Sequence, residues 1–415
     1  MATARGALPA TGADAKVIGL IGAGHFFSHF YILVLPPLFP LLRGELGVSY
    51  TALGFALAVL NLTTALTQAP CGFLVDRFGA RWILIAGLAL FALAIGLIGL
   101  FPYYWALIVL MALAGLGNSV FHPADYAILS ASVKPERMGR AFSIHTFGGY
   151  FGFAAAPVTV VFLTGLFGWR WALTICGLLG LAVAVLMALN SEMLRDDSRA
   201  QRPAPSGGGS RTAADIRLLL SAPVVLSLLF FVMLAVSHGG ITSFGVATLE
   251  SLYGVTLAQA NAPVAAYLFL SAFGVLAGGW IADRVQSHER TVALYLVLSA
   301  TCLAVTALLT PALVVVSVLF AVAGFFAGAI APSRDLMVRA ITPPGASGKV
   351  FGFVTTGFNI GGVITPLIFG AVLDLGEPRL ALWLFALLTL LTMATVVGTG
   401  RYKRRPGEAS AQPGA

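Results

Sequence analysis

The sequence predicts an all-α membrane protein of twelve transmembrane helices, arranged as two pseudo-symmetric six-helix bundles. Three observations predict it: apolar runs of membrane length, cations gathered on one side of those runs, and a repeat relating the two halves. The chain is 59% hydrophobic and 10% charged, with mean hydropathy +0.94. A soluble domain carries about 25% charged residues, so this chain lacks the polar surface to dissolve in water. A span needs about 20 apolar residues. Twelve such runs lie at about 17–42, 51–75, 82–101, 104–131, 141–166, 170–190, 221–249, 258–282, 292–310, 312–333, 350–373 and 380–399. The first run is too long for a cleavable signal and lacks a cleavage site, so it is expected to remain as span one.

With the N-terminus placed in the cytoplasm, 21 of the 24 Lys and Arg fall on the inner side, and only Arg43, Arg170 and Arg379 fall outside. This agrees with the positive-inside rule. It predicts an inner-membrane protein with both termini cytoplasmic, and explains the net charge of +8 without a nucleic-acid partner. Trp105, Trp169, Trp171 and Trp383 lie near span ends, where indole rings anchor at the interface. Cys71, Cys176 and Cys302 sit far apart in apolar runs and read as small buried residues, with neither disulfide nor metal spacing.

The longest polar stretch, 191–217, carries "PAPSGGGS", the composition of a flexible linker. It divides the chain into bundle 1–190, linker 191–218, bundle 219–400 and a cytoplasmic tail 401–415. The halves repeat. "GFLVDRF" at 72–78 matches "GWIADRV" at 279–285, and "LGVS" at 46–49 matches "YGVT" at 253–256, both at an offset of 207. "GRAFSIHTFGGYFGFAAAP" at 139–157 matches "GKVFGFVTTGFNIGGVITP" at 348–366 at an offset of 209. Parallel repeats of this kind imply bundles related by an axis along the membrane normal, with a site exposed alternately to either side.

In the loop after span two, Gly72 and Gly79 allow a close turn, and Asp76 can meet the positive end of a helix dipole. "GFLVDRFGAR" resembles the signature loop of the major facilitator superfamily, with Gly72, Leu74, Asp76, Arg77 and Gly79 matching and Arg81 following Ala80. The resemblance covers essentially the whole chain. It implies that Asp76, Arg77 and Arg81, with the second copy Asp283 and Arg284, latch the cytoplasmic side. "GAGHFFSHF" at 22–30, "FHPADYAILS" at 121–130 and the Gly148, Gly149, Gly152 pattern resemble the fosmidomycin-resistance branch of that superfamily. That branch implies proton-driven efflux of a drug or metabolite. In the branch an acid is expected where this chain has Ala124, with Asp125 following, and another where it has His29. Met111 stands where many proton antiporters carry Arg, and Pro157 follows Ala156 rather than Gly.

Ionisable groups inside a span cost about 2.5–3.5 kcal/mol or more and rarely face lipid. His25 and His29 share one face of span one at i, i+4. His238 lies at similar depth in span seven. His122 and Asp125 end span four, and the short link 132–139 brings His145 of span five near them. Each histidine reads either as a hydrogen bond between helices or as a group that binds substrate or exchanges protons, since imidazole titrates near neutral pH. His25 and His29 have helical ligand spacing, but no Asp, Glu or Cys is near them in sequence, so no metal is expected. Tyr31, Tyr150 and Asn359 are further candidates. The offset of 209 sets Asp125 against Arg334, expected as an inner gate, with Asp335 as a rival local partner of Arg334.

No nucleotide-binding loop and no nucleophile–base set is present, so neither ATP nor another cofactor is expected, nor an enzyme. The expected function is secondary active transport by a monomer in the lipid bilayer, coupling protons to efflux of a small polar or anionic molecule. Uptake of an organic acid by proton symport is the alternative, and a non-transporting sensor or scaffold is the alternative of another class.

Overall fold

The structure, a computed structural model, describes residues 12–134, 137–194, 216–343 and 346–400. Most of the expected linker and the whole expected tail lie outside the described residues. All regular structure among the described residues is helical. In the first half it comprises α1 (Gly12–Leu33), α2 (Phe39–Leu46), α3 (Tyr50–Phe78), α4 (Ala80–Leu100), α5 (Tyr104–Asn118), α6 (Phe121–Ser132) and α7 (Met138–Leu189). The second half has α8 (Ala222–Tyr253), α9 (Leu257–Ala282), α10 (His288–Leu309), α11 (Leu313–Ile341), α12 (Ser347–Asp374) and α13 (Pro378–Gly400).

Among the described residues, eleven helical segments are long and apolar enough to cross a membrane, of which Arg140–Leu189 has 50 residues. At 1.5 Å per residue that segment would run about 75 Å, more than twice a bilayer core. Gly168 divides it, with φ 79° and ψ 159° inside the helix, so it supplies spans five and six and the crossings number twelve. A positive φ favours glycine because it has no Cβ to clash. Gly376 takes the same role between α12 and α13, with φ 76°. Gly47 and Gly254, both at φ 62°, end α2 and α8 in left-handed C-caps. The pairs are 208 and 207 residues apart, within one residue of the repeat offsets, so the repeat preserves its turns.

Two other breaks follow local chemistry. Pro36–Leu38 form one 3-10 turn between α1 and α2, where successive prolines remove backbone donors. Residues 119 and 120 separate α5 from α6, which places Pro123 in the first turn of α6. A missing N–H is tolerated there. Large apolar side chains point outward, Phe73 at 76% exposure and Trp105 at 74% among them. Polar faces would be outward in a soluble protein, so this is a chain solvated by lipid.

The described chain packs as two compact units. One comprises 12–34, 63–134, 137–156 and 163–194; the other comprises 35–62, 157–162, 216–343 and 346–400. In the first unit, the Tyr31 and Phe91 rings lie 5.0 Å apart, and Thr64 Oγ1 donates to the Gly115 carbonyl at 3.1 Å. In the second, Phe230, Phe231, Val292, Leu296, Val350 and Val354 form a buried core. Segments 35–62 and 157–162 join this unit through specific contacts. Phe39 meets Phe244 with ring centroids 5.4 Å apart, and Asn261 Nδ2 donates to the Pro157 carbonyl at 3.1 Å. Asp374, at the end of α12, accepts from Tyr50 N, Thr51 N and Thr51 Oγ1 at 2.7, 2.8 and 2.6 Å. Those are the first donors of α3, which have no partner within their own helix.

Candidate functional site

The first unit buries a polar cluster built by α1, α6 and α7. Asp125 on α6 is fully buried. Its Oδ2 accepts from His25 Nδ1 of α1 at 3.1 Å and from His145 Nε2 of α7 at 2.9 Å. The His25 and His145 rings stack with centroids 3.6 Å apart. His29 lies one turn along α1, its ring 4.5 Å from His25, and His122 approaches His25 to 5.9 Å. Tyr126 covers the other side, 5.9 Å from His145. Two buried atoms in this cluster have no hydrogen-bond partner among the described residues: Asp125 Oδ1 and His29 Nδ1.

Glycines on α7 bring the helices together. A Cβ on Gly152 would lie 2.2 Å from the Phe26 carbonyl oxygen, and one on Gly148 would lie 3.2 Å from that of Gly22. One on Gly149 would lie 2.9 Å from His25 Nε2 and 3.0 Å from His29 Cε1. The Gly148, Gly149, Gly152 pattern therefore sets α7 against α1 at backbone contact and leaves room for two imidazoles. Small residues do this between membrane helices generally.

The sequence grouped His25 with His29, and His122 with Asp125 and His145; the structure joins both groups around one carboxylate. The metal reading changes accordingly. Asp125, 100 residues from His25, supplies the carboxylate that sequence spacing did not show. His25, Asp125 and His145 now form a set of three ligand atoms within 4.8 Å of one another.

The remaining candidates lie apart from this cluster. Tyr31 is buried and donates to the Cys176 carbonyl at 2.9 Å, tying α1 to α7. Tyr150 is half-buried beside Phe153. In the second unit, His238 Nδ1 and Tyr267 Oη share a hydrogen bond of 2.7 Å, and Asn359 is half-buried on α12. Arg334 Nε donates to Asp335 Oδ1 at 2.9 Å. Its guanidinium lies over the Phe231 and Phe358 rings, at 4.9 and 5.2 Å.

Of the latch residues, Gly79 has φ 98° at the start of α4, and a Cβ on Gly72 would lie 4.0 Å from Pro123 Cβ. Arg81 Nε donates to the Leu194 carbonyl at 2.9 Å, while Arg77 extends over Phe78. The Asp76 side chain lies outside what the structure describes. Asp283 caps the C-terminus of α9, and Arg284 folds back over Trp280 and donates to its carbonyl at 2.7 Å. Two polar links escaped the sequence reading: the Asp14–Arg137 ion pair joining α1 to the turn before α7, and Asp374 on the α3 N-terminus.

Comparison with known proteins places this arrangement. The description "Major Facilitator Superfamily" matches residues 21–319 and 239–415. The chain is 24% identical over 390 residues to the fosmidomycin resistance protein of Escherichia coli (strain K12), covering 92% of each. Its fold is similar to that of a bacterial homolog of the human lysosomal transporter Spinster, with TM-score 0.78 at 15% identity, covering 96% of this chain and all of the other. It is also similar to the nucleoside transporter NupG, with TM-score 0.75 at 14% identity, covering 92% of this chain and 99% of that one. Twelve apolar crossings, a repeated half and a match along nearly the whole length agree: the chain is a multi-pass membrane transporter and belongs to the major facilitator superfamily.

Proposed function

We propose that the chain is a secondary active transporter that exports a small polar or anionic compound across a bacterial-type inner membrane, coupled to protons and working by alternating access. In this reading bundles 1–190 and 219–400 are the moving parts and both termini are cytoplasmic. The observation that carries it is the fully buried Asp125 carboxylate held between the buried His25 and His145 within membrane-spanning helices, with His29 and His122 beside them. Groups that cost this much inside a bilayer mark substrate or ion pathways. Imidazole N–H groups suit an anion as hydrogen-bond donors. Similarity along 92% of the E. coli fosmidomycin resistance protein supports the drug-like, outward direction.

The test is flux in inverted vesicles and proteoliposomes under an imposed pH gradient, with phosphonates, carboxylates and antibiotics as substrates. Accumulation in inverted vesicles with the interior acidic, and its loss in His29→Ala, is the expected result. Accumulation in right-side-out vesicles instead would make the chain an organic-acid importer. Absence of any flux from a folded, ligand-binding protein would leave a sensor.

A further inference from the structure

We propose that His25, Asp125 and His145 bind a divalent first-row transition-metal ion such as Zn²⁺. Three features of the cluster lead there. The first is spacing. An ion bound at about 2.1 Å sets neighbouring ligand atoms about 3.0–3.4 Å apart. His25 Nδ1 and His145 Nε2 lie 3.1 and 2.9 Å from Asp125 Oδ2, so a small inward or outward adjustment of the three side chains would seat the ion.

The second is the hydrogen-bond ledger. If the cluster were only a set of hydrogen bonds, both imidazoles would donate to one carboxylate oxygen and Asp125 Oδ1 would stay buried with no partner. Buried polar atoms are nearly always satisfied. A cation in front of the carboxylate takes both oxygens and gives Oδ1 its partner. His29 Nδ1, on the ring beside His25, is equally buried and unpartnered.

The third is rigidity. The three ligands come from three helices, and α1 and α7 touch at backbone level through Gly148 and Gly152. The donor set then selects the ion. Two imidazoles and one carboxylate suit Zn²⁺, Co²⁺ or Ni²⁺, whereas Mg²⁺ and Ca²⁺ prefer all-oxygen sites. Positions left open by three protein ligands remain for water or for an anionic molecule. The inference deepens the functional reading by naming a partner of the same cluster. It is tested by binding alone, so failure of transport and failure of metal binding are told apart.

The full chain is purified through a tag without histidine, stripped with a chelator and titrated with Zn²⁺ under equilibrium dialysis. Co²⁺ serves as the optical probe. One ion per chain is expected, with visible Co²⁺ bands of a nitrogen–oxygen site. Asp125→Asn and His145→Gln should each weaken binding by about 100-fold, while His288→Ala, far from the cluster in sequence and on another helix, should bind as the parent does. X-ray absorption at the zinc edge of the unsubstituted protein should show two bound imidazole rings, a readout that needs no variant to fold. Fewer than 0.1 ion per chain (on the order of background), an all-oxygen shell, or parental affinity in both ligand variants would overturn the assignment.

Discussion

Gly149→Ala tests whether the close approach of α7 to α1 shapes the cluster. The added Cβ would lie 2.9 Å from His25 Nε2, 3.0 Å from His25 Cδ2 and 3.0 Å from His29 Cε1. Carbon atoms settle at about 3.5–4.0 Å, so both rings must withdraw by about 0.5 Å or more. His25 has little slack, because its other nitrogen is 3.1 Å from Asp125. Half an ångström would stretch that bond to about 3.6 Å, which no longer counts as a hydrogen bond. Overpacking of this kind costs about 1–3 kcal/mol, and alanine returns about 1 kcal/mol of helix propensity. The net loss of stability is therefore small, about 2 kcal/mol at most. Loss of flux should be larger, tenfold or more, which corresponds to about 1.4 kcal/mol in the barrier. The assay pairs flux in proteoliposomes with thermal unfolding in detergent. Gly165→Ala is the control, since a Cβ there meets nothing within 4 Å and should leave both readouts unharmed. Parental flux in folded Gly149→Ala would refute the idea that these ring positions matter.

Gly152→Ala should be far worse for folding than for any single function, because its Cβ would strike the Phe26 carbonyl rather than a movable ring; a loss of about 3 kcal/mol or more is expected, and an unchanged melting point would contradict it. Asp374→Ala should destabilise by about 0.5–2 kcal/mol by uncovering the first donors of α3, with Asp374→Asn intermediate; equal melting curves for all three proteins would remove the capping role. Asp76→Asn should slow turnover more than it weakens substrate binding, and collapse of affinity at normal turnover would replace the latch with a binding role.

The crossings were legible because lipid demands length and apolarity of each one. The break at 168 was legible as the gap between two runs. Polar links between distant helices were less legible. Asp14–Arg137 and Asp374–Thr51 join residues more than 100 positions apart, and no local pattern pairs them. The cluster was half legible: its histidines and Asp125 were singled out, but His25 was assigned to a different group from Asp125. The missing signal was the glycine pattern at 148, 149 and 152. Read as a contact surface, it says that α7 meets another backbone, and the facing helix is the one that carries His25.

The repeat also says which polar residues the fold does not require. Ser28 Oγ donates to the His25 carbonyl at 3.0 Å, and Ser237 Oγ donates to the Leu234 carbonyl at 3.1 Å. Both pairs are related by the offset of 209, so α1 and α8 keep the same local geometry. At that offset His25 corresponds to Leu234, His122 to Ala331 and His145 to Val354. Val354 is fully buried in the core of the second unit. An equivalent helix therefore packs at these places with apolar side chains, and replacing buried polar groups by well-packed apolar ones is often neutral or stabilising. Folding alone gives no reason to keep His25 and His145 there at the cost of burying them. His29 is the exception, since His238 stands at its equivalent, and its loss is the one change in this set that the second half does not already show to be tolerable. The chemistry of the first half is thus an addition to a scaffold that both halves share. His29 apart, its polar residues stand where the two copies differ.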